Sequence, residues 1–256
     1  ALPEMDELVI DGRWFDAFCQ RTGWTPQCRG RVRVVPSGAS ADTAFSDPLG
    51  PAPRVFKRVF DIAFSLSALL LAAPCLLLAM LAIRLDSRGP ALFKQVRVGH
   101  GGRRFTLYKL RTMTTGEEDP AVLAYMADMV RCQAEPENGL FKLGSNRRIT
   151  RVGRWLRRLS IDEVPQLLNV LKGDMSVVGP RPSILEEAAC YSEVHWQRLA
   201  VRPGITGLAQ VNGRSRLRFD DIVDLDVRYS RSWTPLLELK IILRTPAAVV
   251  SGRGAT

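Results

Sequence analysis

The sequence predicts an α+β protein held to a membrane by one proline-broken helix, with a small domain of short strands and amphipathic helices beyond it. Three observations carry that prediction. From Ile62 to Ile83 no side chain is charged, and roughly 22 helical residues span about 33 Å, the thickness of a bilayer core. Pro90–Val98 and Arg104–Leu110 alternate apolar and polar residues as strands do, with Gly99-His100-Gly101-Gly102 between them as a tight turn, so they predict a β-hairpin. Apolar residues then recur at helical spacing over 120–134, 183–200 and 222–250, the last with breaks at Pro235 and Pro246.

Three segments follow in order. Residues 1–53 mix Pro, Gly and Ser with isolated aromatics such as Trp14, Phe15, Phe18 and Trp24, and end on Pro48-Leu49-Gly50-Pro51-Ala52-Pro53. They predict a loosely ordered arm with one short helix near Trp14. The first thirty of them, with acidic groups and no continuous apolar run, do not read as a secretory signal. Residues 54–88 are the membrane helix. A core helix seldom stays uncharged for six turns, and Pro74 near the middle removes a backbone hydrogen bond. Arg54, Lys57 and Arg58 precede the run and Arg84 and Arg88 follow it, which places both ends in the cytosol. A helix that enters, breaks at Pro74 and returns satisfies both facts. Asp61 either pairs with Lys57 and Arg58 at the interface or is an ordinary solvated cap. Residues 89–256 form the cytosolic domain. Near its end Leu236–Leu243, with Lys240 and Arg244, suits a helix on a membrane surface or one packed on the domain's own core.

Composition narrows the function. The chain has 256 residues, 46% of them apolar, enough to fill a core and exclude disorder throughout. The net charge of +10 favours an anionic partner: nucleic acid, lipid or a phosphorylated substrate. Thirty of the 36 cations are Arg, the residue suited to bidentate phosphate contacts. Five scattered cysteines without a C-x-x-C pair, and only two histidines, argue against a zinc site or a disulfide framework and for a reducing compartment.

The densest chemistry lies between Arg157 and Pro182. Asp162 and Glu163 are adjacent carboxylates that follow Arg157 and Arg158 just before a helix. Ser160 and Glu163 fit the S-x-x-E capping pattern, but a helix capped at Ser160 would hold Pro165 at its fifth position, so a start nearer Pro165 is more natural. At a helix N-terminus, exposed amides favour an ionised carboxylate and a bound phosphate. An ionised Asp is a competent nucleophile toward phosphorus when cations offset the repulsion. Glu163 can hold Mg²⁺, and Arg157 and Arg181 can clamp phosphate oxygens. Such a site suits a magnesium-bound diphosphate.

Residues from about 54 onward resemble the bacterial sugar transferase family, the monotopic polyprenol-phosphate phosphoglycosyl transferases. The resemblance rests on Lys57-Arg58 with Asp61 and the Pro74-broken segment, and on Tyr108-Lys109-Leu110-Arg111-Thr112-Met113. It extends through Ser160-Ile161-Asp162-Glu163-Val164-Pro165-Gln166, Gly173-Asp174-Met175-Ser176-Val177-Val178-Gly179-Pro180-Arg181-Pro182 and Arg202-Pro203-Gly204-Ile205-Thr206-Gly207. It implies a re-entrant membrane helix on the cytosolic face of the bacterial inner membrane. It also implies an enzyme that transfers a sugar-1-phosphate from a UDP-sugar to polyprenyl phosphate, the first membrane step of exopolysaccharide-type assembly. By position Asp162 resembles the family's nucleophile, Glu163 its magnesium ligand, and Arg157 and Arg181 its phosphate-binding arginines. Where the family often has Asp-Pro-Arg-Ile-Thr, this chain has Asn146-Arg147-Arg148-Ile149-Thr150, losing an acid and gaining a cation.

Lys109 and Arg111, two apart on the predicted strand, either meet nucleotide phosphates or form a solvated face. Gln210, Asn212 and Arg214 follow the Gly204 and Gly207 turn, within reach of nucleotide or sugar. A nucleic-acid binder does not explain the uncharged run, and no helix-turn-helix, RRM or finger signature occurs near Arg147 to Arg158. A non-catalytic membrane scaffold explains the run but leaves Arg157, Asp162, Glu163 and Arg181 without a purpose. No Walker loop or dinucleotide fingerprint occurs. The sugar transferred and the oligomeric state are not legible.

Overall fold

The structure, a computed structural model, describes residues 48–114, 148–189, 191–213 and 216–250, together with residue 128 and a parallel strand pair in the arm, β1 (Leu8–Val9) and β2 (Val32–Arg33). The helix expected near Trp14 and, residue 128 apart, the one over 120–134 lie outside the described residues, as do Asn146, Arg147 and Arg214.

Helix α1 (Pro51–Asp86) runs for 36 residues and starts on Pro51, whose fixed φ suits a first helical position. Its helical backbone continues across Pro74 rather than ending there, since a proline interrupts the bonding of one turn while the next resumes it. Among the described residues it is the one helix long and apolar enough to cross a membrane. Both of its ends dock on the rest of the chain. Lys57, Asp61 and Ser65 are buried at one end and Ala79 and Ile83 at the other, while Leu66, Leu70, Leu71, Leu77 and Leu78 between them stay exposed.

The expected hairpin is present. β3 (Leu92–Val98) pairs antiparallel with β4 (Arg104–Leu110), Leu92 opposite Leu110 and Val98 opposite Arg104. Gly101 (φ 61°) and Gly102 (φ 76°) make the turn in the left-handed region that a side chain disfavours. Helix α2 (Arg151–Arg158) is capped by Thr150, whose hydroxyl accepts the Gly153 N–H at 2.9 Å. A 3₁₀ turn (Ile161–Gln166) then leads into α3 (Leu167–Lys172). The S-x-x-E capping box does not form. Ser160 is itself left-handed (φ 54°) without a side-chain cap, and the α-helix begins two residues beyond Pro165.

β5 (Ser176–Val178) pairs parallel with β6 (Gly204–Thr206). A Cβ on Gly204 would lie 2.0 Å from the Gly179 nitrogen, so this approach of two backbones requires glycine. The helix expected over 183–200 is divided into α4 (Leu185–Ala189), α5 (Glu193–Trp196) and a 3₁₀ turn (Gln197–Ala200), because Ser192 and His195 form a capping box that starts a new helix. Helices α6 (Leu208–Asn212), α7 (Phe219–Arg231) and α8 (Pro235–Val250) complete the described chain. The break at Pro235 is present, but Pro246 lies inside α8 and does not end it.

Leu107, Val170, Met175, Val177, Val178, Val201, Tyr229 and Ile241 form the main core, and Ala91, Leu110 and Leu156 a second one under the far end of α1. Helix α8 packs on the main core through Ile241 and exposes Leu236, Leu239 and Leu243.

Candidate active site

The 3₁₀ turn after α2 presents Asp162 and Glu163 in its first turn. The left-handed Ser160 before it is the sole non-glycine at positive φ among the described residues. Strain of that kind persists only where surrounding structure holds it. Asp162 is buried, and its carboxyl is pushed up to about 6, first by burial and then by Glu163 beside it, against the pull of Lys109 and Arg157. Glu163 is less buried and forms an ion pair with Lys109 Nζ at 3.0 Å. Burial and the nearby Arg181 and Arg97 push the Lys109 ammonium down, while Glu163 and Asp162 pull it up.

Asn169 ties these groups together. Its Oδ1 accepts the Tyr108 N–H at 3.0 Å and its Nδ2 donates to the Thr106 carbonyl at 2.6 Å. The strand that carries Lys109 is thereby locked to the helix that follows the carboxylate pair. Asn169 is fully buried, where an unpaired amide would be costly.

A cleft opens beside the pair, lined by Arg97, Lys109, Glu163, Gln166, Arg181 and Gln210 among others. The structure thus gathers Lys109, Glu163, Arg181 and Gln210 around one space. Asp162 is adjacent, and Arg157, in the last turn of α2, is close enough for its charge to act on Asp162. Arg111 is a correction. β4 ends at Leu110, so strand alternation no longer aims Arg111 alongside Lys109. Its buried guanidinium instead donates to the carbonyls of Arg88 (2.8 Å), Ser87 (2.7 Å) and Ile83 (3.4 Å), capping α1. Sequence reasoning missed Arg97, Gln166 and Asn169. Asn169 had a signal, a lone amide inside Leu167-Leu168-Asn169-Val170-Leu171; Arg97 had none.

Among the described residues no group of three or more metal-ligating side chains exists. The pair alone still fits a hard cation, since Mg²⁺ is commonly held by one or two carboxylates together with substrate phosphate oxygens. Burial is the larger cause of the raised Asp162 carboxyl and Glu163 the second, and a cation held by the pair would favour the ionised form of both.

Residues 52–252, nearly all of the chain from α1 onward, match the bacterial sugar transferase family. The chain belongs to that family. It is therefore an enzyme, a phosphoglycosyl transferase by class. The sugar transferase is 42% identical over 229 residues to the UDP-glucose:undecaprenyl-phosphate glucose-1-phosphate transferase of Caulobacter vibrioides, covering 85% of this chain and 79% of that one. It is 39% identical over 202 residues to the undecaprenyl-phosphate galactose phosphotransferase of Salmonella typhimurium, covering 79% of this chain but 42% of that longer protein. To the exopolysaccharide production protein ExoY of Rhizobium meliloti it is 37% identical over 205 residues, covering 80% of this chain and 90% of that one. The matched span of the sugar transferase takes in α1 beyond its first residue, the carboxylate pair and every residue of the cleft.

Proposed function

We propose that the chain transfers a sugar-1-phosphate from a UDP-sugar to undecaprenyl phosphate, or a similar polyprenyl phosphate, on the cytosolic face of the inner membrane. The observation that carries this reading is the buried Asp162 beside Glu163, at the edge of a cleft carrying Lys109, Arg97 and Arg181. A diphosphate brings negative charge, and this cleft supplies fixed cations to receive it. The relative named for UDP-glucose supports the donor class, and both it and the relative named for galactose transfer support the undecaprenyl-phosphate acceptor.

In the first step an Asp162 carboxylate oxygen attacks the sugar-bearing phosphorus, forming an acyl phosphate ester to the sugar and breaking the bond to UMP, which leaves with its electron pair. In the second, an oxygen of the lipid phosphate attacks the same phosphorus, forming the lipid diphosphosugar and freeing the Asp162 carboxylate. Two steps let one cation cluster serve both substrates in turn. Lys109 and Arg181 hold phosphate oxygens, Arg157 offsets the charge on Asp162, and Gln210 is placed to contact nucleotide or sugar. Glu163, with phosphate oxygens of the donor, would hold Mg²⁺, which when bound withdraws negative charge from the diphosphate. The acceptor arrives through the membrane. Helix α1 is proposed to dip into one leaflet and return, which is supported by both its ends resting on one domain while its leucine-rich middle is exposed.

The test is to incubate purified protein with a panel of UDP-sugars before any lipid is added. UMP release, ping-pong kinetics and a mass gain of one sugar-phosphate on the peptide containing Asp162 are expected, and Asp162→Asn abolishes all three. Intersecting initial-rate lines with no trapped adduct would reassign Asp162 as a base or metal ligand. No transfer from any donor would refute the reading.

A further inference from the structure

We propose that Arg198, buried and not part of the cleft lining, is a positioning residue that sets the backbone of the Arg181 loop; its kinetic readout rests on the transfer reading above. The loop Pro180-Arg181-Pro182 contains two prolines, which lack N–H groups, so its carbonyls are its main hydrogen-bonding handles. Four consecutive carbonyls are each held by a donor from elsewhere. Gly204 N–H reaches the Pro180 oxygen at 2.7 Å, Arg198 Nη2 the Arg181 oxygen at 3.4 Å, Arg97 Nη1 the Pro182 oxygen at 3.3 Å, and Val98 N–H the Ser183 oxygen at 2.9 Å. The Arg181 side chain is left exposed at the cleft.

Arg198 is itself held from several directions. Its Nε and Nη2 donate to Asp226 at 3.0 and 2.8 Å, and its Nη1 donates to Glu187 at 3.2 Å and to the Tyr191 hydroxyl at 2.9 Å. Its guanidinium lies 5.5 Å from the Phe219 ring centre and 5.9 Å from that of Tyr191. Well-packed apolar residues generally equal or exceed a buried ion cluster in stability. The cluster makes better sense as a means of fixing geometry: it carries the rigidity of α4 and α7 to the one carbonyl between the two prolines. A small misplacement of a phosphate-clamping group is costly in rate.

A double-mutant cycle tests this. Arg198→Lys keeps the charge but cannot hold Asp226, Glu187 and the Arg181 carbonyl together. It should lower kcat/KM for the UDP-sugar about tenfold in the native background and no more than about twofold beside Arg181→Lys, with unchanged gel-filtration behaviour in detergent. Equal losses in both backgrounds would make the role merely structural and overturn the proposal. If Arg198→Lys does not fold, Asp226→Asn, which keeps its shape while loosening the guanidinium, runs the same cycle and decides. The cycle is repeated on UDP affinity by calorimetry. Coupled affinities in a protein whose wild type transfers nothing would refute the transfer reading alone, whereas additive affinities beside normal wild-type transfer would refute the positioning role alone.

Discussion

At the scale of single residues, the site is arranged against stability. Asp162 holds its proton to about pH 6 in the fold against 3.8 ordinarily, so between those values it binds up to one more proton in the folded protein than in the unfolded chain. Stability contributed by the protonated form is complete below about pH 4 and is lost as pH rises through about 6. Asp162→Asn should therefore stabilise the protein above pH 6, by up to about 3 kcal/mol without divalent cations, and change little at pH 4. Thermal melts at the two pH values check this; equal effects at both would mean that the carboxylate is not the source. The same group predicts that kcat/KM falls at acid pH, because only the ionised carboxylate attacks phosphorus. A bound cation favours the ionised form, so with Mg²⁺ the fall begins at lower pH than the metal-free titration near 6. A rate profile flat to about pH 4 would contradict that.

At the scale of elements, the junction of α1 with the domain depends on a few buried polar groups. Asp61 accepts from the Ser176 hydroxyl at 3.0 Å and the Val177 N–H at 2.9 Å, and Lys57 pairs with Glu238 while donating to the Val178 carbonyl at 3.1 Å. Arg58 donates to the carbonyls of Val170 and Leu171 at the end of α3. The other end of α1 is closed by Arg111. Arg111→Met leaves the carbonyls of Ile83, Ser87 and Arg88 without that donor and should cost about 2–3 kcal/mol, seen as a lower Tm. The kcat of the folded fraction should stay within about twofold of wild type. Lys109→Met, by contrast, should reduce kcat/KM at least tenfold. A loss of kcat in Arg111→Met as large as that in Lys109→Met would return Arg111 to the substrate site.

At the scale of the whole molecule, one domain rests against both ends of an apolar helix. A helix that crosses a bilayer emerges on opposite faces, where one domain cannot meet both ends. Single cysteines at Ala52 and Arg88, exposed at the two ends of α1, on a background without native cysteines, should both be shielded from an impermeant thiol reagent in intact cells and label after lysis. Labelling of one alone in intact cells would mean a true span. Pro74→Leu, which restores the missing backbone hydrogen bond, should shift the protein toward that outcome in the same assay.

The sequence by itself determined what depends on neighbours along the chain. The uncharged run of α1, the alternation of β3 and β4 with their glycine turn, and the adjacent Asp162 and Glu163 all lie within short windows where periodicity and residue type suffice. Tertiary structure alone decided what depends on distant parts meeting. Asn169 reaches back to Thr106 and Tyr108, Arg97 comes from the hairpin to the Arg181 loop, and Arg111 turns away from the cleft to cap a helix that ends 25 residues earlier. The physical reason is common to all of them. A buried polar side chain takes whichever partner the fold brings within about 3 Å, and that partner leaves no periodic mark in the sequence.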